Sequence, residues 1–315
     1  MKKYRLYLGI AILAAFLIVA PLFISSYYVG LIILALIYGI FAMSLDILSG
    51  YAGLPSLGHA AFFGVSAYTV AIINVKVLNH FAVEFVSGLV AAAIVAAIFG
   101  VLALRTKGIY FLMVTLALSV LMWGLASRWA GLTGGEDGLT GVSRPDLSPI
   151  LWNLKATTHY YYFVLIVFGI ATLLMYLFVR SSFGITLLGI QENETRMGCL
   201  GYDTWGYRYM AFVVAGVFAG LAGILNVYYN RFVSPTDLGV LTSSKVLLML
   251  ILGGTGTLFG PILGAGIIIF FENLISGYTE RWLSVLGIIY VVVIFFTRKG
   301  IYNPLKQFVR RLGVS

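Results

Sequence analysis

The sequence has 315 residues, of which 61% are hydrophobic and 10% are charged, and its mean hydropathy is +1.02. An ordinary soluble domain carries about 25% charged residues, so this composition excludes a soluble protein and predicts an all-α, polytopic integral membrane protein. The net charge of +9 arises from 20 Lys and Arg against 11 Asp and Glu. The basic residues stand at the ends of apolar runs and form no patch interleaved with aromatic residues, which argues against nucleic-acid binding.

The amino terminus resembles a secretory signal peptide, because basic residues precede an apolar run over residues 6–24. That run is longer than the roughly 7–15 apolar residues of a signal peptide. We therefore expect it to remain as the first transmembrane helix. The single cysteine, Cys199, excludes an intramolecular disulfide.

Apolar stretches long enough to cross a membrane recur along the chain, since about 20 helical residues span the hydrocarbon core. They lie at residues 6–24, 28–48, 59–78, 85–104, 109–128, 160–179, 209–228 and 282–298. A further apolar stretch at 245–276 is interrupted by glycine and proline, which predicts two short helices or a re-entrant pair. The sequence thus predicts about eight full transmembrane helices plus a glycine-broken short-helix pair, 8–10 in total, in one transmembrane domain over residues 1–315.

The positions of Lys and Arg predict the orientation, because these residues are enriched in cytoplasmic loops. If both termini are cytoplasmic, 13 of the 20 basic residues lie inside, many of them near the chain ends, and the reverse orientation would invert that ratio. These 13 are Lys2, Lys3, Arg5, Arg105, Lys107, Arg180, Arg196, Arg208, Arg298, Lys299, Lys306, Arg310 and Arg311. We therefore predict an N-in/C-in protein with a cytoplasmic segment at 181–208, an extracytoplasmic loop at 129–159 and a basic cytoplasmic tail at 299–315.

Segment 181–208 is a polar island between two apolar runs. A serine at its start can cap a short helix that ends near Leu200, where Gly201 suits the helix end, and Asp203 or Thr204 suits the start of the next helix. The surface of the short helix would carry Glu192, Asn193, Glu194 and Arg196. A helix that lies along the membrane face can transmit a force from a partner to the adjacent spans. The alternative interpretation of this segment is a solvated loop helix without such a role.

Catalysis has little support in the sequence. There is no Gly-x-x-x-x-Gly-Lys-Ser/Thr phosphate loop, and His59, His80 and His159 match no zinc-binding spacing. We expect no enzymatic activity, no bound cofactor and no metal site in this chain. His59 is expected to bond to a neighbouring backbone group.

Ion coupling would require ionisable residues at membrane depth. Asp46, Lys245 and Glu272 each fall within a turn or two of a predicted interface, and Asp46 is expected to bind backbone amides of the turn at 49–58. We therefore favour a pathway opened by motion imposed from outside the chain. The alternatives are an ion-coupled secondary transporter acting without an ATPase and an uncoupled channel.

Two glycine-rich breaks interrupt apolar stretches near residues 50–64 and 253–266. Paired interruptions can mark the site of transporters built from repeats, and glycines also let helices pack closely. The residues of interest in the breaks are Gly50, Gly53, Gly58, His59, Gly253, Gly254, Gly256, Gly260 and Pro261.

Three stretches resemble the branched-chain amino acid ABC-transporter permeases, the LivM/LivH-like family. They are LSGYAGLPSLGHAAFFG at 48–64, the segment at 182–202, and GGTGTLFGP at 253–261. The similarity runs in order from about residue 30 to 300, and the turn at 133–141 and the residues at 278–282 are similar to the LivM-type branch.

The resemblance implies a permease subunit of an importer in the cytoplasmic membrane for Leu, Ile and Val or related small polar solutes. Its partners would be a second, LivH-like permease, two cytoplasmic ATPases that bind ATP and Mg, an extracytoplasmic solute-binding protein and membrane lipid. The coupling segment that docks into an ATPase would then contain Glu192, Asn193, Glu194, Arg196 and Gly201. This sequence departs from the general importer pattern Glu-Ala-Ala-x-x-x-Gly, since the alanines are absent and the spacing from Glu194 to Gly201 is one residue longer.

Importer permeases commonly meet acidic groups of a binding protein with basic residues. The resemblance therefore suggests Arg144, Arg231 and Arg281 as docking charges. Arg231 has an equally plausible role as an interfacial anchor.

Overall fold

The structure, a computed structural model, describes residues 23–77, 80–144 and 156–278, together with single positions at 21, 284, 287, 288 and 291. Nearly all of the predicted span at 6–24 and most of the one at 282–298 lie outside these residues. The tail at 299–315, Arg281 and the middle of the loop at 129–159 also lie outside them.

The described residues are mainly helical. The helices are α1 (Ser26–Asp46), α2 (His59–Lys76), α3 (Phe81–Ala103), α4 (Ile109–Arg128), α5 (Ala130–Thr133), α6 (Thr157–Arg180), α7 (Ser182–Glu192), α8 (Glu194–Cys199), α9 (Thr204–Asn230), α10 (Val240–Gly253) and α11 (Gly260–Ser276). A π-helical turn, Ile47–Tyr51, continues α1, and Gly135–Asp137 and Pro235–Leu238 are 3-10 helices. The strands β1 (Leu139–Thr140) and β2 (Phe232–Val233) pair antiparallel.

Five stretches of the described chain are long and apolar enough to cross a membrane. They are Ser26–Tyr51, Phe81–Ala103, Ile109–Arg128, Thr157–Arg180 and Thr204–Asn230. Each coincides with a predicted span, and the predicted span at 59–78 is the 18-residue helix α2. The prediction of a helical, multi-pass membrane protein is therefore confirmed, while the total of 8–10 helices and the N-in/C-in orientation stay predictions.

The core of the bundle is formed by α1, α2 and α9. The most apolar windows of α1 and α9 are 72% and 67% buried, whereas those of α3, α4 and α6 are 28%, 22% and 17% buried. Small residues bring α9 close to its neighbours: a methyl group on Gly223 would lie 2.0 Å from the carbonyl oxygen of Phe63, and one on Gly220 would lie 2.4 Å from Cβ of Ala92. Small residues allow such close helix packing in membranes, and α3, α4 and α6 are left to face lipid or partner chains.

The helix connections lie at two opposite ends of the bundle. At one end Lys107, between α3 and α4, contacts Glu194 at the start of α8. At the other end Lys76 at the end of α2 donates to the carbonyl oxygen of Gly131 at 2.8 Å. We call the first the α7–α8 end and the second the β end.

The segment after α9 turns back into the bundle from the β end. Ser119 Oγ donates to the carbonyl oxygen of Leu238 at 2.8 Å, and the amide of Ala60 donates to Ser243 Oγ at 3.0 Å. The short helices α10 and α11 then form a broken hairpin, which confirms the predicted interruption of the apolar stretch at 245–276. Its turn, residues 254–259, approaches the end of α1, while Ile262 packs beside Gly39 further back along α1. Helix α11 therefore runs antiparallel to α1 and returns towards the β end.

Candidate functional site

The two glycine breaks meet inside the bundle, around the carboxylate of Asp46. Asp46 is fully buried, and its oxygens accept hydrogen bonds from the amides of Gly256 at 2.6 Å and Leu258 at 2.9 Å. The prediction that Asp46 binds amides of the turn at 49–58 is therefore wrong: its partners belong to the hairpin turn. We call Asp46, Gly50, Gly256 and Leu258 the paired-break site.

Glycine at position 50 is required by this close contact. A methyl group there would lie 2.1 Å from Asp46 Oδ1 and 2.4 Å from the amide nitrogen of Gly256. Gly256 itself has φ +73°, a conformation that glycine adopts at little cost. The glycines of the two breaks thus allow the two segments to pack closely, and they also mark where the helices are interrupted.

The other glycines of the breaks hold neighbouring contacts. Gly53, with φ +70°, lies against the side chain of Gln191 near the end of α7, where an added methyl group would be 2.9 Å from Cγ. One contact therefore joins the first break to the predicted coupling segment. Two other glycines also lie close to backbone atoms: Gly58 contacts the carbonyl oxygen of Thr115, and Gly253 contacts Gly260. Between the two short helices, Gly254 has a φ of +110°, and Pro261 lies in the first turn of α11.

His59 has a different partner from the one expected. Its Nε2 lies 2.9 Å from Ser44 Oγ, and its ring stacks on Phe41 with centroids 5.6 Å apart. The expected bond to a neighbouring backbone group is therefore wrong. The ring is fully buried, and Nδ1 has no hydrogen-bond partner among the described residues.

The segment at 181–208 contains two helices where one was expected. The predicted helix through Leu200 is broken at Asn193, whose φ of −158° and ψ of 96° are extended. Asn193 then caps α8, because its side-chain oxygen accepts a hydrogen bond from the amide of Arg196 at 2.9 Å. Two other local predictions are confirmed: Gly201 follows the helix with φ +86°, and Asp203 caps α9 by accepting from the amide of Gly206 at 3.1 Å.

Glu192 and Glu194 differ in their surroundings, although they are separated by one residue. Glu194 Oε2 lies 3.0 Å from Lys107 Nζ and 2.8 Å from an Arg208 nitrogen. Partial burial opposes its ionisation, but these hydrogen bonds outweigh that effect and hold the pKa of the Glu194 carboxyl below its usual value. The resulting stabilisation is present at neutral pH and is lost as the pH falls through the lowered pKa. Glu192 is exposed, as are Asn193, Arg196 and Gly201.

Arg144 does not occupy the position expected of a docking charge. It is 8% exposed, its Nε donates to the carbonyl oxygen of Tyr228 at 3.2 Å, and its guanidinium lies 4.7 Å from the ring centroid of Tyr160. A side chain this buried cannot meet a partner, so the docking assignment of Arg144 is wrong. Arg231 is exposed at the end of α9 and remains a candidate, and Arg281 lies outside the described residues.

Replacing Arg144 by methionine should therefore destabilise the protein without a specific effect on docking. The change removes a buried charged donor and its contact with Tyr160, so we expect the free energy of unfolding to fall by about 1.5–3 kcal/mol. Thermal unfolding in detergent measures this effect. The matched variant Arg231→Met should leave the unfolding midpoint unchanged, and an unchanged midpoint for Arg144→Met would contradict the structural role.

Glu84 is a buried acid to which the sequence analysis gave no role. It is fully buried near the start of α3, accepts from Tyr228 Oη at 2.5 Å and accepts from Asn74 Nδ2 at 2.9 Å. Together these bonds tie α2, α3 and α9 at the β end. The sequence did contain a signal for this role, because a lone carboxylate within an apolar run needs a partner inside the bundle.

Lys245 and Glu272 form an ion pair between the two helices of the broken hairpin. Lys245 Nζ also lies 4.6 Å from the ring centroid of Tyr38, which stands near the middle of the 26-residue span Ser26–Tyr51. Lys245 therefore lies beside the middle of that span, whereas Glu272 stands about one turn before the end of α11 at Ser276. The distance of both residues from a membrane interface stays a prediction. Helix α10 starts inside the bundle, which the linear count of apolar residues could not show.

Comparison with known proteins identifies the family. The family model described as branched-chain amino acid transport system, permease component, matches residues 27–297. The chain belongs to this family. No solved structure matches the permease.

Relatives place the permease in the LivM-type branch. It is similar to LivM, a high-affinity branched-chain amino acid transport system permease protein of Escherichia coli K12, with 27% identity covering 92% of this chain and 74% of that protein. A probable branched-chain amino acid transport permease protein LivH of Methanocaldococcus jannaschii is 25% identical over 79% of this chain and 80% of its own length. The autoinducer 2 import system permease protein LsrC of Yersinia pseudotuberculosis is 30% identical over 56% of this chain and 52% of its own length.

Proposed function

We propose that the permease is one of two membrane subunits of an ATP-driven importer in the cytoplasmic membrane, and that its substrates are branched-chain amino acids or related small polar solutes. The observation that carries this proposal is the LivM match, which covers 92% of the chain. The similarity to an autoinducer 2 permease covers 56%, so it gives weaker support for that substrate.

The proposed complex contains a LivH-like second permease, two cytoplasmic ATPases and an extracytoplasmic solute-binding protein. The permease itself catalyses no reaction, and ATP and Mg bind to the ATPases. We place the α7–α8 end in the cytoplasm, in keeping with the N-in/C-in prediction, so that residues 181–208 meet an ATPase. Glu192, Asn193, Glu194, Arg196 and Gly201 are the proposed coupling residues.

The proposed mechanism is alternating access driven by the ATPases. ATP binding closes the two ATPases, moves α7 and α8, and changes the tilt of the adjacent spans. The contact between Gln191 and Gly53 and the bonds of Asp46 to the hairpin turn give this motion a continuous route from α7 to the broken hairpin. ATP can bias the conformations only by its different affinity for the two states.

Reconstitution of the complete complex in proteoliposomes tests the proposal. With ATP inside and leucine-loaded binding protein outside, we expect leucine uptake that stops when ATP is withheld. Uptake that instead follows an imposed proton or sodium gradient and ignores ATP would favour an ion-coupled carrier. Passive equilibration without recruited ATPases would favour a channel.

The substrate is best identified through the solute-binding protein that stimulates this complex. Leucine, isoleucine or valine should raise its melting temperature, because only a bound ligand stabilises by mass action. A shift with autoinducer 2 or an amide, and none with these amino acids, would contradict the proposed substrate class.

A further inference from the structure

The ion pair of Lys245 and Glu272 is unusual in its surroundings. Its Lys245 lies beside Tyr38, near the middle of the span Ser26–Tyr51, yet the side chains of Lys245 and Glu272 are still 22% and 19% exposed. Charged groups at membrane depth almost always face a bundle interior or a water-filled cavity. The exposed side of this pair is therefore expected to face water or a protein partner.

Neighbouring side chains support this orientation. Thr236, Thr242 and Ser244, on the segment that leads into and through α10, are partly or fully exposed and polar. By contrast, the exposed stripe of α6 is apolar and includes Ile166, Ile170 and Leu173, each more than half exposed. The α6 stripe is apolar and suits lipid, whereas the exposed face of α10 carries these polar residues beside Leu241, which is 73% exposed.

Two further polar groups lie on neighbouring elements. Asp237 precedes α10, and the carbonyl oxygen of the adjacent Thr236 accepts a hydrogen bond from Thr242 Oγ1 at 2.8 Å, one turn before Lys245. Tyr68 lies one turn after Gly64 on α2, and Gly64 packs against Leu238, the residue after Asp237. The hydroxyl of Tyr68 is buried and has no hydrogen-bond partner among the residues that the structure describes. A buried polar group without a partner is costly, so a ligand that bonds to it at some stage of transport would be stabilised.

We propose that Lys245, Glu272 and Asp237 form this permease's half of a transient binding site for the charged groups of a zwitterionic amino acid in transit. Lys245 meets the carboxylate, and Glu272 or Asp237 meets the ammonium group, with the hydroxyl of Tyr68 as a further donor. The inference rests on the proposed function, because it assumes that amino acids cross beside this chain. It adds a location and a recognition chemistry for the substrate within the membrane.

Cysteine labelling tests whether the site faces water and substrate. In a Cys199→Ser permease assembled in the complete complex, Ser244→Cys places a small thiol one residue from Lys245, and Leu173→Cys is the matched control on the apolar stripe. We expect a charged, membrane-impermeant methanethiosulfonate to label position 244 and not position 173. With ATP and binding protein present, leucine should slow labelling at position 244 at least about threefold, whereas leucine-free binding protein should not.

Replacing the ion pair by apolar residues separates a substrate role from a structural one. Buried ion pairs can often be exchanged for hydrophobic residues of similar size without loss of stability. We therefore expect the double variant Lys245→Met/Glu272→Leu to assemble, with an unchanged unfolding midpoint and normal co-purification of the ATPases. Leucine uptake should fall about ten- to a hundred-fold, the range expected for lost hydrogen bonds to charged groups.

The outcomes distinguish this inference from the proposed function. Wild-type uptake by the double variant, or equal labelling at positions 244 and 173, would overturn the binding site while leaving an ATP-driven importer intact. Labelling that leucine does not change would also overturn it. If the double variant fails to assemble, the labelling result decides. If wild-type uptake proves independent of ATP, the proposed function fails, and labelling at position 244 still tests whether the pair faces water.

Discussion

Replacing Asp46 by alanine is expected to lower both the stability and the transport activity of the permease. The buried carboxylate accepts the amide hydrogens of Gly256 and Leu258, and alanine would leave both donors without a partner in the bundle. Leu258 is buried, and its unsatisfied amide costs about 1–3 kcal/mol, whereas the bond to the exposed Gly256 contributes about 0.5–1.5 kcal/mol. We therefore expect a loss of about 2–4 kcal/mol in the free energy of unfolding. The turn of the broken hairpin would also separate from α1, so ATP-dependent uptake should be lost with it.

Thermal unfolding in detergent and uptake in proteoliposomes measure these two effects. Asp203→Ala is the matched control, because Asp203 also accepts a backbone amide hydrogen but is exposed at a helix start. Loss of such a cap costs typically about 1 kcal/mol, so the unfolding midpoint should fall much less than for Asp46→Ala. Equal effects of the two variants would contradict the special role of the paired-break site.

Charge reversal at Glu194 should disrupt coupling through a structural change. A lysine at this position would stand beside Lys107 and Arg208 and replace two attractions by repulsions. We expect α8 to move from the bundle, the unfolding midpoint to fall, and co-purification of the ATPases to decrease strongly. Glu192→Lys should also weaken ATPase co-purification, but without a change in midpoint, because Glu192 is exposed and has no ion pair within the described chain.

The control for these variants lies at the opposite end of the bundle. Glu136 is exposed in the short 3-10 helix of the β end, so Glu136→Lys should leave ATPase co-purification unchanged. If all three reversals have the same effect, net charge rather than position is responsible. If the Glu192 and Glu194 variants both bind ATPases normally, these residues do not contribute to coupling.

Local sequence signals were sufficient for the helices that cross the bundle. Apolar length placed α1, α3, α4, α6 and α9 close to their observed bounds, because each buries or exposes a continuous apolar surface. The residue types preferred at helix ends likewise predicted that Gly201 follows one helix and that Asp203 caps the next. The prediction of a single helix after residue 181 was wrong because Asn193 caps a second helix. Within a polar segment, the sequence does not distinguish a capping residue from any other polar residue.

Contacts between distant parts of the chain could not be predicted. The sequence separates Asp46 from Gly256 by 210 residues, and only the fold brings the two breaks together. The same applies to Lys245 and Glu272, whose depth depends on how far the segment after α9 re-enters the bundle. Arg144 looked like a surface charge because it belongs to a polar loop, but its guanidinium packs under the end of α9.

The side of the membrane on which segment 181–208 lies is the most direct test of the account. Cys199 is the sole cysteine of the chain and is exposed on α8, so it reports on this segment without any substitution. A membrane-impermeant maleimide should label it in inverted vesicles and not in right-side-out vesicles, and bound ATPases should protect it. Labelling from the outer side would contradict a chain that is driven by cytoplasmic ATPases through this segment.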